Sequence, residues 1–393
     1  MESSPLIFVV AGETSGDNLG GRLMSALKKQ TAGNIHFAGV GGPVMMGQGL
    51  QSLFPMRDLA LMGLAEIVPH LPRLIGRLRE TVAAVARLKP AVVVTIDSPG
   101  FSLRVAERVR RLGIPTVQYV APQIWAWHPE RGKKLASQVD HLLALLPFEP
   151  EFFSKFDVDC TFVGHPIVES GVGGGDGSAF RARHGIDAKS PVVVAMPGSR
   201  TKEVGRLLPI FGQALKRLCS SHPDLTAVVP TVGTTATLVE DLTRAWNLRT
   251  IVVSDSAEKA DLFAGSDVAV TKSGTSTLEL ALAGVPMVVA YKVSALTAFL
   301  ARRLITVDNV AMVNLLAGRA FVPECLQENC SSERLAEELG RLIDDESARA
   351  RQLVGLSEAV AALGAGTPPP SERAAAKVLR VMEDGLRSAR NLA

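Results

Sequence analysis

Residues 270–291 read VTKSGTSTLELALAGVPMVVAY. An apolar run, 268–270, stops at a small polar turn, Lys272-Ser273-Gly274-Thr275-Ser276. A helical stretch follows over 277–283, Gly284 suits a helix C-cap, and 286–290 reads as the next strand. This is a strand–turn–helix–strand unit of a parallel sheet. A Gly/Ser/Thr turn at the carboxyl end of such a strand leaves backbone N–H groups free at a helix N-terminus, where they and the local dipole attract a phosphate. Glu279, in the first helical turn, is an odd neighbour for an anion. Two readings stand: it accepts hydrogen bonds from a sugar hydroxyl beside the phosphate, or it only favours the helix N-terminus.

The unit closes a series. Strands are expected at 192–195, 226–229 and 251–254, with helices at 202–219, 239–246 and 258–264. The first strand ends in Pro197-Gly198-Ser199-Arg200-x-x-Glu203, a second small-residue turn at a strand's carboxyl end. If the strands before Arg200 and before Ser273, Gly274 and Thr275 are neighbours, their turns form one pocket. It would offer backbone N–H groups, hydroxyls, the Arg200 fork for a diphosphate and the Glu279 carboxylate for a ribose. That describes a nucleotide-diphosphate site without metal.

The glycine-rich stretch 171–178, GVGGGDGS, reads as a linker, and the βα pattern also precedes it. Leu6 to Ala11 is a strand, followed by the turn Gly12-Glu13-Thr14-Ser15-Gly16-Asp17 and a helix over 18–29. Neither G-x-G-x-x-G nor a P-loop is present, and two acids in the turn suit it poorly to phosphate. Ser15 or Asp17 as a helix cap is the plain alternative. The β-branched run 91–96 marks a strand buried on both faces, ending at Asp97, so that carboxylate points into the crevice where such folds place ligands. Trp125 and Trp127 either line that crevice or plug the domain. The fold class is therefore α/β: two Rossmann-like domains facing across a cleft, with boundaries expected at 1–170 and 178–366. A last helix over 371–393 crosses back to the first domain.

Residues 59–78 are unusually greasy, with Met62, Leu64, Ile67, Val68, Leu71 and Leu74 beside Arg73 and Arg77, and Pro69 and Pro72 interrupting. The segment is either a buried helix or an amphipathic surface that enters a lipid headgroup region. With 393 residues, 47% hydrophobic and 21% charged, the chain is globular, and a net charge of +3 is too mild to argue for nucleic acid. No signal peptide is expected, and the apolar stretch 112–127 is too broken to span a bilayer. The four cysteines show neither pairing logic nor metal-ligand spacing. Asp157-Val158-Asp159 resembles a metal-holding D-x-D but sits far from either phosphate turn, so a solvated turn is expected; no metal and no cofactor are assigned.

Several of these motifs carry a resemblance. AGETSGDNLG (11–20), LALMGLAEIVPHLPRL (59–74), TIDSPGF (95–101), WAW (125–127) and LPFEPEFF (146–153) are similar to the lipid A disaccharide synthase family. So are VGHP (163–166), PGSRTKEV (197–204), SGTSTLELALAGVPMVV (273–289) and NLLAGR (314–319), in order along nearly the whole chain. The resemblance implies an inverting, metal-independent glycosyltransferase of GT-B fold. UDP-2,3-diacylglucosamine would donate its sugar to 2,3-diacylglucosamine 1-phosphate, releasing UDP, by a cytoplasmic protein peripheral on the inner membrane; a homodimer stays open. It makes Asp97 the catalytic carboxylate, puts Arg200 and Glu279 on UDP, and sets Ser15 and Asn314 near the site. The family usually has Asp-x-Pro-Asp-Phe-Asn where this chain has Asp97-Ser98-Pro99-Gly100-Phe101-Ser102, so roles of that second acid and the Asn do not carry over. Lys272 stands where a small residue is usual. Residue patterns alone also admit a sugar-nucleotide epimerase on the same two-domain fold, which would not need the greasy segment.

Overall fold

The computed structural model describes residues 4–59, 64–294 and 309–392, with 64–68 and 388–392 described by backbone alone. The chain divides into two compact units, Met1–Pro166 with Gly366–Ala393, and Ile167–Ala365. The first unit is built on β1 (Leu6–Ala11), β2 (His36–Val40), β3 (Gln51–Ser52), β4 (Val92–Ile96), β5 (Thr116–Tyr119), β6 (His141–Ala144) and β7 (Cys160–Phe162). These form one parallel sheet in the order β3-β2-β1-β4-β5-β6-β7. Its helices are α1 (Thr14–Gln30), α2 (Pro43–Gly47), α3 (Leu64–Leu88), α4 (Pro99–Arg110), α5 (Gly132–Leu135) and α6 (Glu149–Ser154).

Strand alternation sends Ile7, Val9 and Ala11 to one core with α1, and Phe8 and Val10 to another with α3 and α4. β4 is buried along its whole length, as a β-branched run with partners on both edges should be. Chain order reverses between β1 and β4, where Ala11 pairs with Ile96. The turns that follow these two strands therefore share the topological switch point, where open α/β sheets hold ligands.

The second unit repeats the plan with β8 (Val192–Met196), β9 (Thr226–Pro230), β10 (Arg249–Val253), β11 (Val268–Lys272), β12 (Met287–Tyr291) and β13 (Glu324–Leu326). Its sheet is parallel, in the order β10-β9-β8-β11-β12-β13, with the switch point between β8 and β11. Among the described residues its helices are α7 (Gly177–Arg183), α8 (Thr201–Leu218), α9 (Ala236–Thr243), α10 (Lys259–Ala264), α11 (Ser276–Leu282), α12 (Met312–Ala317), α13 (Ser332–Asp344) and α14 (Glu346–Ala362). The last helix, α15 (Pro370–Leu392), returns to the first unit. Ala374, Ala375, Val378 and Met382 join the core that holds Leu23 and Leu27 of α1, and Glu372 pairs with Lys29 at 2.7 Å.

Three local expectations are corrected. The stretch 171–178 is not a free linker, because the chain passes between units at Pro166/Ile167. A Cβ on Gly173, Gly175 or Gly177 would lie 2.7, 2.0 or 2.3 Å from the carbonyl oxygens of Leu282, Ala260 and Ala264, so these glycines permit backbone to approach backbone. Pro69 and Pro72 do not break the greasy segment, since α3 runs through both. Asp17 caps a helix that is not its own. Only 1% exposed, it accepts N–H bonds from Gly42, Val44 and Met45 at 2.8–3.0 Å, closing the N-terminus of α2. Asp17→Ala leaves those amides without their acceptor and is expected to cost about 3 kcal/mol in denaturant unfolding of the first unit. A loss below about 0.5 kcal/mol would mean that water replaces the carboxylate.

Candidate functional site

In the second unit the turns after β8 and β11 lie side by side because β11 pairs with β8. With the ends of β9 and β10 they enclose a pocket of about 450 Å³. Arg200, Glu203, Gly274, Thr275 and Glu279 all line it, joined by Lys259, Lys272 and Asp255. The N–H groups of Gly274 and Thr275 donate to no carbonyl among the described residues. Gly198 has φ +110°, and a Cβ there would meet the Glu203 carboxylate at 2.3 Å, so glycine is required for the turn to close over that acid.

The pocket's charges are interlocked. Glu203 Oε1 lies 3.2 Å from Lys272 Nζ and 3.6 Å from Arg200 Nη1. Glu203 is thus a holder of two cations before it is a ligand contact. Glu279 receives Lys259 Nζ on both oxygens at 2.6 Å. A carboxylate has further lone pairs to offer a hydroxyl, so the ammonium fixes its orientation without using it up. Lys259 was not singled out from the sequence; its only signal is that it opens the helix after β10, and the pairing with Glu279 spans twenty residues. Three cations therefore face three carboxylates here, and an entering polyanion competes for the cations with acids already present.

Two expected contacts lie behind the pocket. The Ser273 hydroxyl is buried and donates to the Val310 carbonyl at 2.8 Å, away from the pocket wall. Asn314 has no exposed surface. Its amide donates to Val322 O and Glu324 Oε1, and its oxygen accepts from the N–H groups of Phe321 and Val322. Glu324 in turn accepts from the Val310 and Ala311 amides. Asn314 thus acts on the Ser273 turn through Glu324 and Val310 and is not itself in the pocket wall.

In the first unit Asp97 ends β4 with φ +51°, followed by Ser98 at φ +44°. Two consecutive non-glycine residues in the left-handed region are strained, and they are over-determined by their surroundings. The Asp97 amide donates to Tyr119 O at 2.9 Å, and the buried Gln118 amide donates to Asp97 O, Tyr119 O and Val120 O. The turn swings the carboxylate beside α1. One oxygen accepts the Ser98 amide at 2.8 Å and the other lies 3.4 Å from the Ser15 hydroxyl. Ser98 Oγ lies 3.4 Å from Glu13 Oε1, an acid of the first turn to which the sequence assigns no place in the site.

Beside this turn, between α3 and α4, is a cavity of about 470 Å³ walled by Leu59, Leu71, Leu74, Ile75, Leu78 and Phe101, with Glu13, Ser98, Arg104 and Arg108 also in its lining. The greasy segment is divided between roles. Leu78 and Leu59 belong to the core, Leu74 is half-buried, and Leu71 and Ile75, one turn apart, are 45% and 41% exposed. Met62 lies outside the described residues, and Leu64, Ile67 and Val68 are described by backbone only. Arg73 is exposed, whereas Arg77 pairs with Asp58 at 2.6 Å and Glu80 at 2.7 Å and stacks on Phe54. Its charge is thereby engaged within the protein. Trp125 is a plug: it donates to the buried Glu149, whose carboxyl burial pushes up to about 7, and meets Phe148 edge-on, while Trp127 is exposed. His141 and His165 are pushed down to about 4 by burial. Asp157 and Asp159 sit exposed in the turn before β7. Among the described residues no cluster of His, Cys, Asp and Glu is arranged to hold a metal ion, and no helix is long and apolar enough to cross a membrane.

Comparison with known proteins agrees with this architecture. Solved structures that superpose over nearly the whole chain include the MnaA–UDP co-structure from S. aureus (TM-score 0.63, 13% identity, 98% of this chain and 97% of that one). MurG from Acinetobacter baumannii superposes with TM-score 0.58 at 16% identity, over 95% of this chain and 99% of the other. Likeness at such identity speaks for the fold, two Rossmann-like domains of GT-B type, shared by glycosyltransferases and epimerases alike. Sequence separates the two. The lipid-A-disaccharide synthase of Rhodospirillum centenum is 52% identical over 379 residues, covering 96% of this chain and 94% of its own. That of Gluconobacter oxydans is 48% identical, covering 96% and 91%. A family profile described as Lipid-A-disaccharide synthetase matches residues 7–378, and the chain belongs to that family.

Proposed function

We propose that the chain joins UDP-2,3-diacylglucosamine to 2,3-diacylglucosamine 1-phosphate, giving the lipid A disaccharide 1-phosphate and UDP, with the donor nucleotide held by the second unit and the acceptor by the first. Family membership supports the reaction. The observation that carries the assignment of residues is the strained turn at Asp97, because strain of this kind persists where a side chain must be aimed. The carboxylate accepts the proton of the acceptor hydroxyl as that oxygen bonds to the donor's anomeric carbon. The bond from that carbon to the diphosphate oxygen breaks, its electron pair leaves with UDP, and a single displacement inverts the configuration. Ser15 and the Ser98 amide keep the carboxylate oriented.

For the donor, the Gly274–Thr275 amides with Arg200 and Lys272 would take the diphosphate, and Glu279, steadied by Lys259, the ribose. Arg200 and Lys272 meet the charge that grows on the leaving group. That the solved MnaA structure is a UDP co-structure supports a UDP site on this fold. The pair of sites gives opposed phenotypes. Asp97→Asn should lose ~10²–10⁴-fold in turnover while keeping UDP affinity. Arg200→Ala should weaken UDP binding about 10-fold in the absence of added metal. Wild-type turnover in the first variant, or unchanged UDP binding in the second, measured by calorimetry, would remove the respective residue from its role.

Both substrates carry acyl chains, so the protein must meet them at a lipid surface. We place that contact on α3, on the cytoplasmic face of the inner membrane, because exposed Leu71 and Ile75, four residues apart, share one face of the helix. Each cation near an anionic leaflet contributes about 1 kcal/mol and buried aliphatics roughly 0.8 kcal/mol per CH₂, enough for reversible attachment. Leu71→Ser with Ile75→Ser should abolish binding to anionic liposomes and leave the melting temperature unchanged. Retained liposome binding with a lowered melting temperature would return both residues to a purely structural role.

A further inference from the structure

Helix α4 starts at the Asp97–Ser98 turn and carries Arg104 and Arg108 one helical turn apart. These two arginines line the apolar cavity against α3 and also a second cavity, of about 620 Å³, against α5. In the second cavity they are joined by Arg111, Arg131 and Lys134, with Glu107 as the one carboxylate in its wall. Glu107 is already engaged, pairing with Arg111 at 2.7 Å and accepting from Gln138. Arg104 and Arg108 donate only to carbonyl oxygens of their own helix, those of Gly100 and Arg104, and neither meets a carboxylate within ion-pair distance among the described residues. The arginine of the second unit's pocket differs in this respect, since Arg200 has its acid in place. A concave wall with five cations and one occupied acid is a site for an anion.

Its position says which anion. Arg104 lies five residues beyond Pro99, about 8 Å along the helix, comparable with the span of one hexose phosphate from Asp97. Gly100 leaves the wall open between them, for a Cβ there would meet nothing within 4 Å. Ser98, Arg104 and Arg108 all line the apolar cavity. An apolar wall and guanidinium groups without an acid thus share one space, and its lining residue Ser98 directly follows Asp97 in the chain, in the pattern of a phosphorylated glycolipid. We propose that Arg104 and Arg108, with Arg131 and Lys134 behind them, bind the phosphomonoester of the acceptor and so set which acceptor hydroxyl reaches Asp97. The planar forks suit a terminal phosphate, which offers three oxygens at once. This assignment rests on the acceptor reading given above. It makes the two arginines specificity-determining residues.

The test uses the full chain and two acceptors in the same detergent micelles, 2,3-diacylglucosamine 1-phosphate and the same sugar lacking its phosphate. Arg104→Gln with Arg108→Gln should lower kcat/KM for the phosphorylated acceptor about 30-fold, mainly through KM, and leave the dephosphorylated acceptor and the donor KM unchanged. Wild-type preference for phosphate should therefore collapse, and Arg104→Lys with Arg108→Lys should restore part of it. A double Gln variant that keeps the preference, or loses equally with both acceptors, overturns the proposal. Loss of binding to phosphatidylglycerol vesicles with the preference intact assigns the arginines to the lipid surface and overturns it too. Binding of each acceptor without donor separates this idea from the reaction itself. If the wild type forms no disaccharide but shows phosphate-dependent acceptor binding that the double variant lacks, the reaction reading fails and the anion site stands. If phosphate-dependent binding is also absent, the site fails as well.

Discussion

The placement of Asp97 in the first unit depends on a turn that the chain would not adopt by itself. Asp97 and Ser98 both occupy the left-handed region without being glycine, at a cost of about 1–3 kcal/mol each. The sheet supplies what holds them there. β4 is sealed between β1 and β5, so its last amide is bound to Tyr119 O, and Gln118 ties the ends of β4 and β5 together. Across the switch point Gly12 makes room: a Cβ there would stand 2.7 Å from the Ser98 hydroxyl. An open parallel sheet with helices on both faces is rigid enough to store this strain, and the strained turn fixes where the Asp97 carboxylate points.

The second unit solves a different problem, that of keeping three cations in one pocket despite their mutual repulsion. Glu203 stands between Arg200 and Lys272, and Glu279 fixes Lys259. Such pairs, partly exposed, contribute little to stability. Their effect is on geometry, since each long side chain is held near the β8 and β11 turns before any ligand arrives. Lys272 fits this arrangement where a smaller residue would leave Glu203 with Arg200 alone. Behind the pocket, the buried Asn314–Glu324 pair grips Val310, which takes the Ser273 hydroxyl and so braces the turn.

Most of this architecture was legible because parallel sheets write it locally. The β-branched run of β4 declared a doubly covered strand, and the small-residue turns after β8 and β11 line one pocket, as neighbouring strands require. What stayed hidden depends on pairs distant in sequence. Nothing near Arg77 in the chain reveals that Asp58 and Phe54 wait for its guanidinium, nor does the segment around Glu279 announce Lys259. The glycines at 173–177 have the composition of a flexible linker, and only the carbonyls of α10 and α11 pressed against them reveal close packing. Helix α3 passes through two prolines because one face is fixed to the core through Leu78, which local propensity does not register. Asn314 carries a motif's signature but serves it from behind, a distinction between touching and supporting that a sequence does not encode.

The central claim is that the two units together perform one inverting transfer between two glycolipids. It is tested most directly by incubating the protein with UDP-2,3-diacylglucosamine and 2,3-diacylglucosamine 1-phosphate, then reading the products by mass and the new linkage by NMR. The account predicts one tetraacylated disaccharide 1-phosphate for each UDP released, with the anomeric configuration inverted from that of the donor. UDP released without a disaccharide, a disaccharide of retained configuration, or an epimerised nucleotide sugar formed without the acceptor would contradict it.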